Sequence, residues 1–269
     1  MDKITSRDNQ YVRQARRLLA ETKYRRQTGL FALEGARLCG DAAMSGAAIQ
    51  TVLYTARAVK SYGDTLQTLL AAGAHGLEIT DELAAYIGDT TSPQGVFCVC
   101  KGLDKPAGLD TIEKNGKYLA LENVQDPANM GAIIRTAEAL GISGLLVSSG
   151  CCDRYNPKVL RASMGGVFRL PLVEVVSMAE AVAALQQRGM TAFACVVEQD
   201  VQPIQRVTFP PGAVAVIGNE GNGLTVETSR ACAQRITIRM AGRAESLNAS
   251  VAASLVAWEM MRDDGLTFS

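Results

Sequence analysis

Histidine is nearly missing from the sequence, since His75 is the one histidine among 269 residues. This scarcity argues against catalytic triads built on histidine and against metal sites built on imidazole. The seven cysteines contain no C-x-x-C pair, which indicates reduced and mostly buried thiols rather than a zinc or thioredoxin-like site. Any acid–base chemistry must therefore come from Arg, Lys, Asp, Glu, Ser or Tyr side chains.

Long apolar runs are missing as well, and none approaches the roughly 20 residues that cross a bilayer. The first residues, Met1 to Arg7, include no apolar stretch typical of a secretion signal. We therefore expect a cytoplasmic protein without a membrane partner. Hydrophobic residues make up 48% of the chain, which is ordinary for a globular protein long enough for two domains.

The chain has no overall charge excess, because its formal net charge is zero. Positive charge is nevertheless concentrated near the N-terminus, and a local basic cluster can follow a phosphate backbone. A solvated helix face would show the same pattern, but we favour phosphate contact. The candidate side chains are Arg13, Arg16, Arg17, Arg25 and Arg26.

Short strand-like segments alternate with helix-like segments along the chain, which is typical of an α/β protein. The polar stretch from Lys101 to Gly108 contains proline and glycine. It predicts a linker at residues 102–108 between domains at 1–101 and 109–269. In the second domain we expect mostly parallel strands with helices on both faces. We also expect helices over residues 109–114 and 130–140, the latter capped by Asn129, and a strand over residues 167–170.

A glycine-rich loop follows the apolar segment Ala213–Ile217 and reads Gly218-Asn-Glu-Gly-Asn-Gly-Leu224. An apolar run of this kind indicates a strand buried on both faces, and α/β sheets bind ligands at the carboxyl ends of such strands. The glycines leave main-chain groups accessible, and Glu220 adds a carboxylate. A tight turn with Asn and Gly at positive φ would explain the same residues, so this loop alone leaves function open.

Two further segments carry polar residues that suit a ligand site. The segment from Glu122 to Gly131 contains Asn129 and is followed by Arg135, although a surface salt bridge would also account for that arginine. The segment from Ile238 to Ala252 contains Ser246 and Asn248, which can contact a ligand or cap a helix.

Together the three segments resemble the signature motifs of the SpoU (TrmH) family of RNA ribose 2′-O-methyltransferases, within the SPOUT superfamily. The matching patterns are Asp-Pro-x-Asn-x-Gly with a following Arg, Gly-Asn-Glu-Gly-x-Gly-Leu, and Ser-Leu-Asn-x-Ser-x-Ala. They lie in the family's order, between residue 118 and the C-terminus. Residues 156–166 resemble the family's middle segment. Residues 31–35 and 92–96 resemble, more loosely, the smaller α/β substrate-binding domain that precedes the catalytic domain in many members.

This resemblance implies a C-terminal domain with a trefoil knot, a homodimer, and S-adenosylmethionine as the cofactor, with no metal required. The substrate it implies is RNA, with ribosomal RNA favoured over transfer RNA. The implied catalytic group is Arg135, Asn129, Glu220, Ser246 and Asn248. The implied cofactor contacts are Gly218, Asn219, Glu220, Gly221, Ile238, Met240 and Leu247. One departure is Arg239, which stands where many members have proline.

Other functions stay open at this point. The same fold could serve a transfer RNA methyltransferase, or an RNA-binding or ribosome-assembly protein without catalysis. A dinucleotide-binding oxidoreductase is disfavoured, because Gly218, Gly221 and Gly223 do not follow the G-x-G-x-x-G order and lie late in the chain.

Overall fold

A computed structural model of the protein describes residues 3–103 and 108–262. Most of the predicted linker, residues 104–107, lies outside the described residues. Within the described ranges, no helix is both long enough and apolar enough to cross a membrane. The chain divides into two compact units, one of residues 1–105 and 153–168, the other of residues 106–152 and 169–269.

The first unit contains a four-stranded mixed sheet in the order β1-β4-β2-β3. Strand β4 pairs antiparallel with β1 and β2, while β2 and β3 are parallel. The strands are β1 (Leu30–Glu34), β2 (Ile49–Thr55), β3 (His75–Ile79) and β4 (Val96–Lys101). The helices are α1 (Gln10–Ala20), α2 (Thr22–Thr28), α3 (Ala36–Met44), α4 (Ala56–Ser61), α5 (Gly63–Ala71) and α6 (Asp81–Ile87).

Local sequence accounts for many of these boundaries. Thr55 and Thr80 cap α4 and α6 by accepting hydrogen bonds from backbone amides of the first turn. Gly29 ends α2 in the left-handed conformation, at φ 65°. The apolar stripe of α1 is buried in the core of this unit, and it consists of Val12, Ala15, Leu18 and Leu19.

The second unit contains a seven-stranded sheet in which every described pairing is parallel. Its order is β7-β6-β5-β10-β8-β11-β9, so β10 lies between β5 and β8. This confirms the expected α/β class with a mostly parallel sheet. The strands are β5 (Tyr118–Leu121), β6 (Gly144–Ser148), β7 (Leu172–Val175), β8 (Thr191–Cys195), β9 (Gln202–Pro203), β10 (Ala213–Ile217) and β11 (Gln234–Thr237).

All five residues of β10 are buried, as a strand covered on both faces must be. Val214 and Val216 belong to the core cluster that also contains Val182 and Leu185 of α10. The alternate residues point to the opposite face, where α12 packs against β10. The helices in this half of the chain are α7 (Pro127–Ala139), α8 (Pro157–Ala162), α9 (Gly166–Arg169), α10 (Met178–Gln187), α11 (Val226–Ala231) and α12 (Ala249–Met261).

The segment 153–168 groups with the first unit although it lies within the second half of the sequence. Tyr155 stacks on Phe31 with ring centroids 4.4 Å apart, and its hydroxyl accepts a hydrogen bond from the amide of Leu103. Asp153 pairs with Arg25 at 2.7 Å. The sequence-based boundaries at 1–101 and 109–269 are contiguous and stay a prediction, but this segment shows that the compact units are not.

Three local predictions were wrong. Residues 167–170 do not form a strand, because Gly166–Arg169 is a helical turn and the strand begins at Leu172. Residues 109–114 hold a single 3-10 turn, Leu109–Thr111. Helix α7 begins at Pro127, and its cap is Asp126 rather than Asn129, because the Asp126 carboxylate accepts from the amide of Ala128 at 2.8 Å.

Candidate active site

The loops that follow β5 and β10 meet at one edge of the second sheet. These two strands are parallel neighbours, so their carboxyl ends lie side by side. Asn248, the residue before α12, reaches the same place, since it caps α12 and also contacts Asn129 in the first turn of α7, directly after the β5 loop. Three segments far apart in sequence thus converge as their motifs predicted.

Hydrogen bonds between side chains connect these three segments directly. Asn248 donates its Nδ2 to Oδ1 of Asn129 at 2.9 Å, and Asn129 donates its own Nδ2 to Oε1 of Glu220 at 3.0 Å. Asn129 is 6% exposed, so both of its amide atoms are committed inside the protein. The order Asn248, Asn129, Glu220 defines a polar relay in which each side chain fixes the orientation of the next.

Glu220 is an anchored carboxylate. Besides Asn129, it accepts hydrogen bonds from the backbone amides of Asp126 at 3.2 Å and Gln125 at 3.3 Å. Burial alone would raise the pKa of Glu220, but the hydrogen bonds from Asn129 and from backbone amides together lower it below its ordinary value of 4.5. Glu220 is therefore ionised at neutral pH and serves the relay as an acceptor.

We expect Glu220 to stabilise the fold wherever it is ionised. Because its pKa is lower in the folded than in the unfolded chain, the contribution is fully present above the unfolded value and is lost as pH falls through the folded value. The difference in unfolding free energy between wild type and Glu220→Gln should stay constant from roughly pH 8 to pH 6 and shrink below about pH 4.5. Urea denaturation across this range measures it. The exposed Glu245→Gln serves as a control, and a difference that widens in acid would contradict the assignment.

The glycine loop closes on itself beside the relay. The backbones of Asn219 and Gly223 exchange two hydrogen bonds of 3.0 Å, and Gly223 has φ 68°. The Asn219 side chain donates to the carbonyl of Asn123 at 2.8 Å and accepts from the amide of Gly221 at 2.9 Å. The loop is thus a tight turn, as the turn interpretation predicts, but Gly223 is its residue at positive φ and neither Asn219 nor Asn222 is. The turn also places Glu220 in the relay.

Sequence reasoning missed Glu122, which is 4% exposed and holds the end of β5 against the start of α11. Its carboxylate accepts from the amide of Thr225 at 2.8 Å, from the Thr225 hydroxyl at 3.1 Å and from the Thr228 hydroxyl. The available signal was a glutamate immediately after a buried strand, a position where an unpaired charge would be costly. Glu122 fixes the exit of the glycine loop into α11.

Replacing Glu122 by alanine should destabilise the protein by about 2 to 4 kcal/mol, because three donors, among them the hydroxyl of the buried Thr228, lose their acceptor. Denaturant unfolding followed by circular dichroism measures the loss. Glu227→Ala is the matched control, since Glu227 lies exposed on the same helix and should change stability by less than about 0.5 kcal/mol. Equal effects of the two changes would contradict this role.

A cavity of about 80 Å³ lies between the ends of β8 and β11 and the start of α12. Its walls are mainly apolar, and they include the predicted residues Ile238, Met240, Ser246 and Leu247 together with Cys195 and Val256. Burial, and then the neighbouring Cys232, raise the pKa of Cys195, so its thiol stays protonated in this wall. Gly218, Asn219, Glu220 and Gly221 do not line this cavity.

The segment 239–247 leaves main-chain groups available at this cavity. In the described part of the chain, the amides of Met240 and Leu247 donate to no other main-chain group. An adenine ring needs an apolar slot for its faces and main-chain hydrogen bonds for its polar edge, and the walls together with these amides fit that requirement. These residues would hold the adenosine part of S-adenosylmethionine.

Arg135 does not contact the relay. It is exposed on α7, and its side chain forms no hydrogen bond or ion pair with any other residue in ranges 3–103 and 108–262. Six residues after Asn129, it is separated from that residue by about 120° around the helix axis. Its guanidinium is therefore free to meet a substrate, and its catalytic role stays a prediction.

The structure separates the five N-terminal arginines. Arg25 is 3% exposed, and its guanidinium is bound by Asp153, the carbonyl of Leu18 and the hydroxyl of Thr22. Its role is structural, which corrects its assignment as an RNA contact. The exposed ones are Arg13, Arg16, Arg17 and Arg26.

Among residues 3–103 and 108–262, no group of three or more His, Cys, Asp or Glu side chains is placed to hold a metal.

Comparison with known proteins identifies the family to which this chain belongs. The model of the SpoU rRNA Methylase family matches residues 116–258, and that of the MRM3-like substrate binding domain matches residues 9–98. The chain belongs to the SpoU rRNA methylase family. Over 97% of its length it is 30% identical to a 23S rRNA (uridine(2479)-2′-O)-methyltransferase of Streptomyces viridochromogenes, covering 92% of that relative. It is also 27% identical to the 23S rRNA (guanosine(2553)-2′-O)-methyltransferase RlmP of Bacillus subtilis, covering 97% of this chain and 99% of that one.

Solved structures agree with this membership. An AdoMet-bound rRNA methyltransferase from Sinorhizobium meliloti superposes with a TM-score of 0.86 at 29% identity, over 99% of each chain. The SpoU family resemblance read from the three motifs is thereby confirmed. The superposition covers both units, so the first unit also resembles the corresponding part of that methyltransferase.

Proposed function

We propose that this protein transfers a methyl group from S-adenosylmethionine to a ribose 2′-hydroxyl of ribosomal RNA. The observation that carries the proposal is the relay of Asn248, Asn129 and Glu220, which joins all three family motifs at the carboxyl end of the sheet. It lies in the same unit as the cavity whose walls suit an adenosine. The relatives named as 23S rRNA 2′-O-methyltransferases support ribosomal over transfer RNA.

The cofactor supplies an activated methyl group on sulfur, with a neutral thioether as the leaving group. The protein's task is to align a weakly nucleophilic hydroxyl, whose proton passes to solvent water as the oxygen–methyl bond forms. The guanidinium of Arg135 is a planar, cationic hydrogen-bond donor, so it acts by clamping the phosphate beside the target ribose and hydrogen-bonding the hydroxyl. Asn129 and Asn248, held by Glu220, orient the ribose, and Ser246 adds a hydroxyl at the cavity wall.

A transfer assay tests the proposal. Purified protein, tritiated S-adenosylmethionine and unmodified 23S ribosomal RNA should yield label in RNA, and digestion should release a 2′-O-methylnucleoside. Transfer RNA given in parallel should remain unlabelled. Label in transfer RNA alone would support the transfer RNA alternative, and RNA binding without any label would support a non-catalytic role.

The functional unit we propose is a homodimer formed through α12. This helix exposes three large apolar side chains along one side, at spacings of four and three residues. They are Val251, Leu255 and Trp258, which are 46%, 40% and 49% exposed. An apolar stripe of this kind is typical of an interface with a second copy.

We further propose that the chain around α12 is threaded as a trefoil knot and that the protein works in the cytoplasm.

Trp258→Glu should convert the dimer to a monomer, because it replaces the largest apolar side chain of the stripe by a charge. Sedimentation velocity should show roughly half the mass at micromolar concentration. Val226→Glu is the matched control, since Val226 is 57% exposed on α11, away from the stripe. A wild-type protein that sediments as a monomer would rule the dimer out.

The exposed N-terminal arginines support an RNA-binding role for the first unit. Arg16 lies over the Tyr86 ring at 3.8 Å and donates to the Tyr86 carbonyl, while Arg17 lies over Tyr24 at 3.8 Å. These contacts hold the guanidinium groups of Arg16 and Arg17 in place on the surface, near the exposed Arg13. We propose that Arg13, Arg16, Arg17 and Arg26 contact phosphates of the RNA.

A further inference from the structure

A second cavity, of about 330 Å³, lies within the first unit. Its walls come from the end of β1 and the start of α3, from the loop before β4, and from the end of α8. These are the segments at residues 31–35, 92–96 and 156–166, whose sequence resembles the family but which take no part in the methyl-transfer site. Side chains that line it include Arg37, Leu38, Asp41, Gln94, Arg161 and Met164.

The first wall is fixed by a glycine and a glutamine. Gly35 turns the chain at φ 102°, and the first amide of α3, on Ala36, donates to Oε1 of Gln94 at 2.8 Å. A Cβ atom at Gly35 would lie 3.3 Å from that same oxygen. The Gln94 oxygen is thereby committed to the helix, and its amide nitrogen, which donates to no residue in ranges 3–103 and 108–262, is available as a donor in the cavity lining.

A second part of the wall is fixed by the hydrogen bonds of Glu34 and by one ion pair. Glu34 is 7% exposed, and its carboxylate accepts from the amide of Asp89 at 2.8 Å and from the hydroxyl of Thr90. The Asp89 carboxylate in turn binds Nη2 of Arg161 at 2.8 Å. This chain of contacts joins β1, the loop after α6 and α8, so the cavity is shaped before any ligand arrives.

One donor in this cavity wall is unsatisfied. Nη1 of Arg161 is buried and has no hydrogen-bond partner among the residues that the structure describes. A buried donor without an acceptor is costly, and a ligand acceptor would remove that cost. Arg37, which is exposed and has no ion-pair partner in the described part of the chain, provides a second guanidinium.

The charges of the side chains that line the cavity indicate which class of ligand can bind there. Glu34 and Asp41 balance Arg37 and Arg161, so the cavity offers no net positive field to a free anion. It offers instead apolar surface from Leu38 and Met164, with donors and acceptors at its edges. A flat, neutral group with a polar edge matches this lining, and a nucleobase is such a group. Unpaired bases in RNA are recognised in this way, by stacking and by hydrogen bonds to their edges.

We propose that this cavity binds one unpaired base of the RNA substrate. The inference rests on the proposed function, and it adds a contact that reads RNA in the unit matched to a substrate-binding domain. The base lies against Leu38 and Met164, and its edge meets the amide of Gln94 and the guanidinium of Arg161. The Arg37 guanidinium contacts the adjoining phosphate at the rim.

Methionine methyl NMR on the full-length protein tests the site without requiring activity. The resonance of Met164, assigned from its loss in Met164→Leu, should shift saturably with at least one of GMP, AMP, CMP and UMP, and should not shift with inorganic phosphate. No shift with any nucleotide would overturn the proposal. An equal shift with phosphate would show an anion site and overturn it as well.

A paired set of variants tests the site with RNA. Arg37→Ala combined with Ser92→Trp removes a rim cation and fills the cavity, and should weaken binding of fragmented 23S ribosomal RNA about tenfold with S-adenosylmethionine affinity unchanged. Lys60→Ala combined with Ser61→Trp, at exposed positions of the same unit outside the cavity, should leave both affinities unchanged. Equal RNA affinity of the two double variants would refute the site.

The two proposals fail separately. Loss of RNA affinity in the cavity variant, in a protein that transfers no methyl group to RNA, would keep the base site and refute the activity. Methyl transfer with full RNA affinity in the cavity variant would keep the activity and refute the base site.

Discussion

Arg135→Ala is expected to lower the rate constant of methyl transfer by about a thousandfold while leaving S-adenosylmethionine affinity within about twofold of wild type. The physical reason is its position: Arg135 is exposed on α7 and bonds to no other described residue, so the folded protein loses little when the side chain is removed. Only the bound RNA loses its phosphate clamp. Single-turnover kinetics and calorimetric cofactor titration measure the two quantities.

Two further variants make this result specific. Arg135→Lys keeps the charge but not the bidentate fork, and should recover part of the lost rate. Arg230→Ala removes another exposed arginine of the same unit and should leave the rate unchanged. If Arg135→Ala lost cofactor binding and methyl transfer in equal measure while still folded, the phosphate-clamp role would be wrong.

Gly218→Ala is expected to destabilise the protein by about 3 kcal/mol and to abolish methyl transfer. A Cβ atom at this position would lie 2.2 Å from the carbonyl carbon of Gly223 and 2.4 Å from the amide nitrogen of Leu224. Both atoms are backbone, so no side-chain rotation relieves the contact. The loop must open, and Glu220 moves out of the relay with it.

Gly221→Ala is the matched control in the same loop. Its added methyl would meet only the Asn219 side-chain oxygen, at 3.6 Å, which is an ordinary contact. Thermal unfolding should separate the two variants by several degrees. A Gly218→Ala protein with wild-type stability would show that the loop is more plastic than its two 3.0 Å backbone bonds imply.

Local sequence patterns were sufficient to predict the elements whose structure is determined by residues close together in the chain. The buried strand β10, the glycine loop after it and the cap at Asn248 could all be predicted, because apolar runs, glycines and cap residues act over a few positions. The convergence of Asn129, Glu220 and Asn248 came from family motifs. Spacing alone gives no reason for residues about 90 to 120 positions apart to share hydrogen bonds.

Predictions failed where distant contacts decide the outcome. Val167 and Phe168 have high strand propensity, yet they lie in a helical turn between two glycines and Arg169. Arg25 matched a surface basic cluster by sequence, but Asp153, which is 128 positions away, draws it into the interior. Glu122 was overlooked as a support because its partners, Thr225 and Thr228, follow a hundred residues later.

Because residues 153–168 group with the first unit, the protein cannot be cut into two independent fragments at the predicted linker. A gene fragment ending at residue 101 would leave Arg25 inside without its carboxylate and Phe31 without the ring that covers it. The complementary fragment would contain Asp153 and Tyr155 without their partners, Arg25 and Phe31. Point substitutions on the intact chain are therefore the sound way to separate RNA recognition from chemistry, and deletion of either half would confuse the two.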